Sequence, residues 1–155
     1  MTGETIAQVS GLAARIETAA VRHEVEGRGA VSTVVERYIL AFLTQVTQSL
    51  VCNRHHPVGQ RTARWLLATH DRVDGDSFVL TQDFLALMLG VTRPQVSNAA
   101  ASLRREELID YRRGRIWIRD RARLQAMACD CYTIIRSEFE RLLARPTSNG
   151  WAVGG

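Results

Sequence analysis

The sequence predicts a mainly α-helical protein that carries one small β-ribbon. Three observations support this prediction: an apolar stripe at helical spacing over residues 31–50, two short amphipathic segments on either side of a glycine at position 90, and two alternating apolar and polar segments between residues 109 and 118. A length of 155 residues fits one ordinary domain or two very small ones, and an apolar content of 46% is enough to bury a core.

The first 30 residues are predicted to hold one short helix. Apolar residues recur at three-to-four spacing between Leu12 and Glu26, and Gly27-Arg28-Gly29 is expected to end the helix.

The next helix, predicted over residues 31–52, carries a long stripe of large apolar side chains. A core helix of a compact domain is one interpretation. Because little upstream sequence exists to cover the stripe, we favour a pair of such helices across a two-fold axis, and hence a homodimer. The residues assigned to this dimer contact all lie on the stripe: Val31, Val35, Tyr38, Ile39, Phe42, Val46 and Leu50.

Residues 53–57 are predicted to be a hinge because Pro57 disfavours helical geometry at His56 and suits a first helical turn itself. A domain over residues 58–145 then follows, with a helix at 58–70, a polar turn at 71–77, a short strand at 78–80 and a C-terminal helix at 121–143. Residues 146–155 are expected to form a flexible tail.

Residues 81–105 predict a helix-turn-helix. Thr81 can cap a first short helix, Gly90 suits a tight turn, and Thr92 can cap a second helix. The second helix has a small inward face, and its outward face carries side chains that suit base edges in the major groove of DNA. The candidate base-reading residues are Arg93, Gln95, Ser97 and Asn98.

The segments at 109–112 and 115–118 predict a hairpin with arginines at its tip, which is the wing of a winged helix. From Arg93 to Arg123 there are nine arginines against four acidic residues, so this stretch has a net charge of +5 in a chain whose net charge is +4. Such a concentration of charge suggests a polyanion partner for this stretch alone. The candidate phosphate contacts are Thr81, Thr92, Arg104, Arg112, Arg113 and Arg115.

The stretches CNRHHPVGQRTARWLL, LTQDFLALMLGVTRPQVSNAAASLRREELIDYRRGRIWI and ACDCY resemble the C-terminal half of the Crp/Fnr family of bacterial transcription regulators. The resemblance implies a long dimerisation helix followed by a winged helix-turn-helix, with an inverted-repeat DNA site. By position, Arg93 matches the first base-reading arginine of that family, whereas Pro94 stands where many members have a glutamate and Asn98 where many have a second arginine.

The family also implies a sensor β-roll, for which about 30 residues ahead of the long helix leave no room. We therefore interpret residues 1–30 as the end of such a domain and expect no cyclic-nucleotide binding in the family's manner. The Arg61-Thr62-Ala63 triplet superficially resembles part of a nucleotide-binding cassette, but its place on a helix argues against that role. The turn at 71–77 is a candidate contact for RNA polymerase by the same resemblance, and otherwise an ordinary surface loop.

Other classes fit less well. Carboxylates near His70 have no evident nucleophile beside them, and no phosphate loop or dinucleotide-binding pattern occurs, so we predict no enzyme and no catalytic residues. The alternative to DNA binding is a winged helix used only for protein contacts, which predicts an uncharged wing. No apolar run approaches the length of a membrane span, and the sparse, odd set of three cysteines indicates a reducing compartment, hence the cytoplasm.

Thiol and imidazole groups in the chain could in principle bind zinc or iron: Cys52, His55, His56, Cys129 and Cys131. However, Cys129 and Cys131 lie two residues apart on the helix predicted over 121–143, which puts them on nearly opposite faces. We therefore expect buried or incidental cysteines, no metal site and no cofactor.

Overall fold

The computed structural model describes residue 7 and residues 11–27 and 29–143, and within these ranges the chain forms seven helices and a three-stranded antiparallel sheet. The helices and strands follow in chain order: α1 Thr18–Glu26, α2 Ala30–His55, α3 Val58–His70, β1 Ser77–Val79, α4 Gln82–Leu89, α5 Arg93–Arg105, β2 Ile109–Arg112, β3 Arg115–Ile118, α6 Arg121–Met127 and α7 Cys131–Leu143. The predicted fold class, a long helix followed by a winged helix-turn-helix, is confirmed. The predicted tail at 146–155 lies outside the described residues.

Helix α1 is shorter than the pattern between Leu12 and Glu26 predicts. It begins at Thr18. The preceding Leu12 and Ile16 are exposed, so their side chains make no buried contacts that would stabilise an additional helical turn. Helix α2 is longer than predicted and continues through His55. Only His56, which has an extended backbone, and Pro57 separate it from α3.

The main core lies between α3, the helix-turn-helix and the sheet. Leu66 and Leu67 of α3 are fully buried, and they belong to one cluster with Leu89, Val96 and Leu103 from α4 and α5. The sheet has the strand order β1-β3-β2, with Phe78 opposite Ile116 and Tyr111 opposite Ile116 on the other side. The short strand β1 thus extends the wing hairpin into a three-stranded sheet.

The prediction of one continuous helix over 121–143 is wrong. Helix α6 ends at Met127, Ala128 is extended with φ −73° and ψ 155°, and α7 begins at Cys131. The amide of Ala128 closes α6 by donating to the carbonyl of Leu124 at 3.1 Å. This break changes the placement of Cys129, which lies in the connecting turn rather than on a helix face.

An arginine, a tyrosine and an aspartate join three elements at the base of the domain. Arg121 of α6 donates to Asp71 at the end of α3 at 2.5 Å, and the hydroxyl of Tyr132 in α7 donates to the same carboxylate at 2.9 Å. Burial and the hydrogen bond to Asp71 raise the pKa of Tyr132 above its ordinary value, so it remains a neutral donor. Among residues 11–27 and 29–143, no helix combines the length and low polarity that a bilayer crossing requires.

Candidate nucleic-acid interface

The turn between α4 and α5 has the local geometry that the sequence predicts. Thr81 Oγ1 accepts a hydrogen bond from the amide of Phe84 at 3.2 Å and so caps α4. Gly90 ends α4 in the left-handed conformation, with φ 62° and ψ 41°, and the amide of Val91 donates back to the carbonyl of Ala86 at 3.1 Å. These bonds set the direction in which α5 leaves the turn.

A buried arginine donates a hydrogen bond to the end of α4 at this turn. Arg61 of α3 is only 6% exposed, and its Nη2 donates to the carbonyl oxygen of Leu89, the last residue of α4. The carbonyls at a helix C-terminus carry partial negative charge, so a guanidinium group is well matched to this place. This role of Arg61 could not be predicted from the sequence, because a single arginine on an apolar helix face does not reveal which carbonyl it contacts.

Helix α5 divides into a buried face and an open face. Its buried face consists of small or medium apolar side chains: Val96, Ala99, Ala100 and Leu103. On the open face Arg93, Gln95 and Asn98 are exposed, whereas Ser97 is half-buried. The open face therefore presents three of the four candidate base-reading residues to solvent.

Two of the candidate contact residues are used within the protein as a helix cap. The Oε1 atom of Gln95 accepts from the backbone amide of Thr92 at 2.9 Å and from the Thr92 hydroxyl at 3.1 Å. This places the amide oxygen of Gln95 at the start of α5 and leaves its NH2 group as the free end. A bidentate contact with adenine, which needs both ends of the amide, would require this cap to open.

The wing is a two-residue hairpin whose tip is made of arginines. Arg112 pairs with Arg115 across the strands, and between them Arg113 and Gly114 have φ values of 50° and 76°, both in the left-handed region. This is the turn geometry that matches the twist of an antiparallel ribbon. All three arginines are exposed; Arg115 donates to the Ser77 hydroxyl at 3.2 Å, while Arg112 and Arg113 make no side-chain bond to any residue that the structure describes.

Contacts at the start of α4 connect the wing with the N-terminus of α5. Leu80, just before α4, donates from its amide to the carbonyl of Gly114 at 2.8 Å. Two residues into α4, Asp83 Oδ1 lies 3.5 Å from Arg93 Nε at the start of α5. The path from the wing tip to α5 therefore crosses only the first turn of α4.

Arg104 is less available than the wing arginines. Its Nε lies 3.4 Å from Asp110 Oδ1, and Arg119 Nη2 lies 3.5 Å from the other oxygen of the same carboxylate. Exposed pairs of this kind contribute little stability, typically about 0–1 kcal/mol, so a phosphate could replace Asp110 as the partner. One acidic side chain thus lies between two arginines at the base of the wing.

The apolar stripe of α2 is open along much of its length. All seven residues assigned to the dimer contact are exposed in the single chain, with Leu50 at 67% and Ile39 at 49%. Tyr38 and Phe42 also make contacts inside the chain: their rings stack at 6.2 Å, and Tyr38 meets Phe139 of α7 edge-on at 6.4 Å. The part of the stripe that remains without a partner in the described chain includes Ile39, Val46 and Leu50, joined by Leu43, which the prediction omitted.

The turn at 71–77 is mostly exposed, but Asp71 at its start is engaged by Arg121 and Tyr132. Asp76 lies 3.4 Å from His70 Nε2. The suggested contact of this turn with RNA polymerase stays a prediction.

The predicted placement of Cys129 and Cys131 on one continuous helix is wrong. Because α6 ends at Met127, Cys129 and Cys131 are not on opposite faces of one helix, and both are buried beside Cys52 of α2. The ligand atoms of Cys52, His56, Cys129 and Cys131 all lie within 4.8 Å of one another, whereas His55 is exposed and lies outside the group. Burial and, as a smaller contribution, the hydrogen bond with Cys52 raise the pKa of Cys129 to about 12.

The helix-turn-helix region matches a known family model. Residues 60–127, which span α3 to α6, match the family model of the Crp-like helix-turn-helix domain. Among solved structures, the catabolite activator protein of Thermus thermophilus is similar, with 22% identity and a TM-score of 0.45 over 63% of this chain and 46% of that one. This chain therefore corresponds to less than half the length of that protein. No curated protein matches the chain.

Proposed function

We propose that this chain, whose residues 60–127 match the Crp-like helix-turn-helix domain, is a Crp/Fnr-type regulator that binds DNA sequence-specifically as a homodimer. In this proposal α5 of each subunit enters the major groove and the wing contacts the adjacent phosphates. A two-fold dimer would then recognise an inverted repeat whose half-sites lie about one helical turn apart.

One observation carries the DNA-binding proposal: the arginine-tipped wing and the N-terminus of α5 both contact residues at the start of α4. The amide of Leu80 is bonded to Gly114 in the wing, and Asp83 is paired with Arg93 in α5. A single duplex can therefore meet both at once. The winged helix without DNA binding predicts an uncharged wing, and the three exposed arginines at this tip count against it.

Base reading is assigned chiefly to Arg93 and Asn98. Arg93 suits guanine O6 and N7, and Asn98 suits adenine N6 and N7. Gln95 is a weaker candidate than its position suggests, since its oxygen caps α5. Pro94 has no acceptor for the cytosine amino group, so we expect a half-site that differs from the usual one of the family.

The dimer contact is assigned to the exposed part of α2. Ile39, Leu43, Val46 and Leu50 follow one another at spacings of four, three and four residues, which is the heptad pattern of two helices that pack along a seam. Burial of a leucine side chain in such a seam contributes about 1.5–3 kcal/mol, and each residue is used twice in a two-fold dimer.

The decisive experiment combines mass in solution with the selection of bound duplexes from a random pool. We expect the mass of a dimer and an enriched palindrome. Arg93→Ala should then cost about 1–3 kcal/mol on the enriched site and relax the preference at one base pair of each half-site, whereas Arg113→Ala should weaken binding to all duplexes alike. Equal losses on enriched and random duplexes for both variants would contradict this division of roles.

A further inference from the structure

Four side chains of the kind that bind transition metals meet where α2 ends against the turn between α6 and α7. Cys52 Sγ lies 3.5 Å from Cys129 Sγ, and Cys131 Sγ lies 3.4 Å from His56 Nδ1. All four ligand atoms fall within 4.8 Å of one another. The three cysteines are buried and His56 is half-buried.

We propose that Cys52, His56, Cys129 and Cys131 bind one zinc ion and so fasten the end of α2 to the α6–α7 turn. Zinc prefers four ligands in a tetrahedron, and three thiolates with one imidazole are a common structural set. With metal–sulfur distances of about 2.3 Å and metal–nitrogen distances of about 2.0 Å, the ligand atoms of such a tetrahedron lie about 3.5–3.8 Å apart. The separations of 3.5 Å and 3.4 Å are already close to this range, and none of the others, all within 4.8 Å, needs to close by more than about 1 Å.

The local backbone explains how the ligands converge. Cys52 lies four residues before His56, so the last turn of α2 and its extended cap direct both toward the same place. Cys129 lies in the turn and Cys131 begins α7, so the break after Met127 brings both thiols to the same ligand group. A continuous helix could not do this, because residues two apart point in nearly opposite directions.

The surroundings suit a thiolate–metal centre. Binding would release one proton from each of the three thiols, and zinc with three thiolates and a neutral imidazole carries one net negative charge. The buried guanidinium of Arg64 acts electrostatically on Cys52 and supplies an opposite charge. Gln48 donates from Nε2 to Cys131 Sγ at 3.2 Å, a hydrogen bond that strengthens when the sulfur is a thiolate.

A disulfide between Cys52 and Cys129 is the main rival. Their sulfur atoms would have to approach from 3.5 Å to about 2.05 Å, with loss of two hydrogens to an oxidant. A disulfide would use two of the four groups and would leave the contact between Cys131 and His56 unexplained. The metal uses all four, and it accounts for a half-buried imidazole beside three buried thiols.

The test is the metal content of the full chain, purified under reducing conditions without chelator, followed by titration of the metal-free protein with cobalt(II). We expect one zinc per chain, and with cobalt the visible bands of a tetrahedral site together with thiolate charge-transfer absorption. His56→Ala and Cys131→Ser should lose the metal. The matched control His55→Ala removes the neighbouring exposed imidazole and should retain it.

Circular dichroism of each variant separates loss of metal from loss of fold, and His56→Gln serves where a cysteine variant does not fold. The proposal is overturned if the folded, reduced wild-type protein binds well under one zinc or cobalt ion per chain. Equal metal loss in the His55 and His56 variants would also overturn it, as would a Cys52–Cys129 disulfide whose reduced form takes up no metal. None of these measurements uses DNA, so their failure is distinguishable from failure of the proposed function.

Discussion

Arg113→Ala should reduce the salt dependence of DNA binding. Arg113 is exposed at the tip of the wing and makes no side-chain bond within the described residues, so its loss removes charge without breaking an internal contact. A two-fold dimer presents this residue twice. Each phosphate contact contributes a slope of about −0.9 to the plot of log affinity against log salt, so the variant should lose about 1.8 from the slope.

This magnitude can be measured by fluorescence anisotropy of a labelled duplex. Between about 50 and 200 mM salt, a slope difference of 1.8 means that the affinity ratio of wild type to variant falls about 12-fold. Arg113→Lys keeps the charge and should restore most of the slope. Arg141→Ala removes an equal charge from a Glu138 pair on α7 and should leave the slope unchanged. An affinity ratio that does not vary with salt for Arg113→Ala would refute the phosphate contact.

Three further predictions concern the turn, its support and the dimer. Gly90→Ala should destabilise the domain by about 1–2 kcal/mol in chemical denaturation, because Gly90 has φ 62° and an added Cβ meets no atom within 4 Å, so that only backbone strain acts. The control Gly59→Ala, in helix α3 with equally open space, should instead stabilise the domain by about 0.5–1 kcal/mol. A Gly90 variant as stable as the wild type would contradict the assigned conformation. Arg61→Met keeps an unbranched apolar side chain but leaves the Leu89 carbonyl without its donor, which should cost about 1–3 kcal/mol. The control Arg105→Met, on the exposed end of α5, should have little effect, and equal melting temperatures for the two variants would contradict the supporting role of Arg61. Leu50→Glu should yield a monomer in analytical ultracentrifugation, because it places charges in the seam between the two α2 helices. The control Leu12→Glu, at a fully exposed position, should remain dimeric. A dimeric Leu50 variant would exclude this seam.

Local signals explain why the helix-turn-helix and the wing could be predicted from the sequence. Thr81 caps a helix by a bond to an amide three residues on, Gly90 adopts a conformation that few other residues tolerate, and Arg113-Gly114 fits a two-residue hairpin turn. Each of these depends on residues within one turn of the chain. The inward face of α5 follows equally from its small apolar side chains at helical spacing.

Contacts between distant segments explain what could not be predicted. No glycine or proline marks the break after Met127, so the sequence favours one helix over 121–143, and only the packing of Cys129 and Cys131 against Cys52 reveals the turn. Similarly, nothing near Arg61 in the sequence points to the carbonyl of Leu89, 28 residues away.

The contact between α2 and α7 links the proposed dimer to DNA reading. Helix α2 is separated from α3 by only two residues outside helices, His56 and Pro57. It packs on α7 and on the turn before α7 through the contacts Tyr38–Phe139, Gln48–Cys131 and Cys52–Cys129. If two α2 helices pair, the angle at which each meets α7 fixes the separation of the two α5 helices. A duplex accepts two reading helices only at a defined spacing, about one helical turn, so a change in this angle alters affinity without touching a DNA contact. The cluster of Cys52, His56, Cys129 and Cys131 lies at this junction of α2 with the α6–α7 turn.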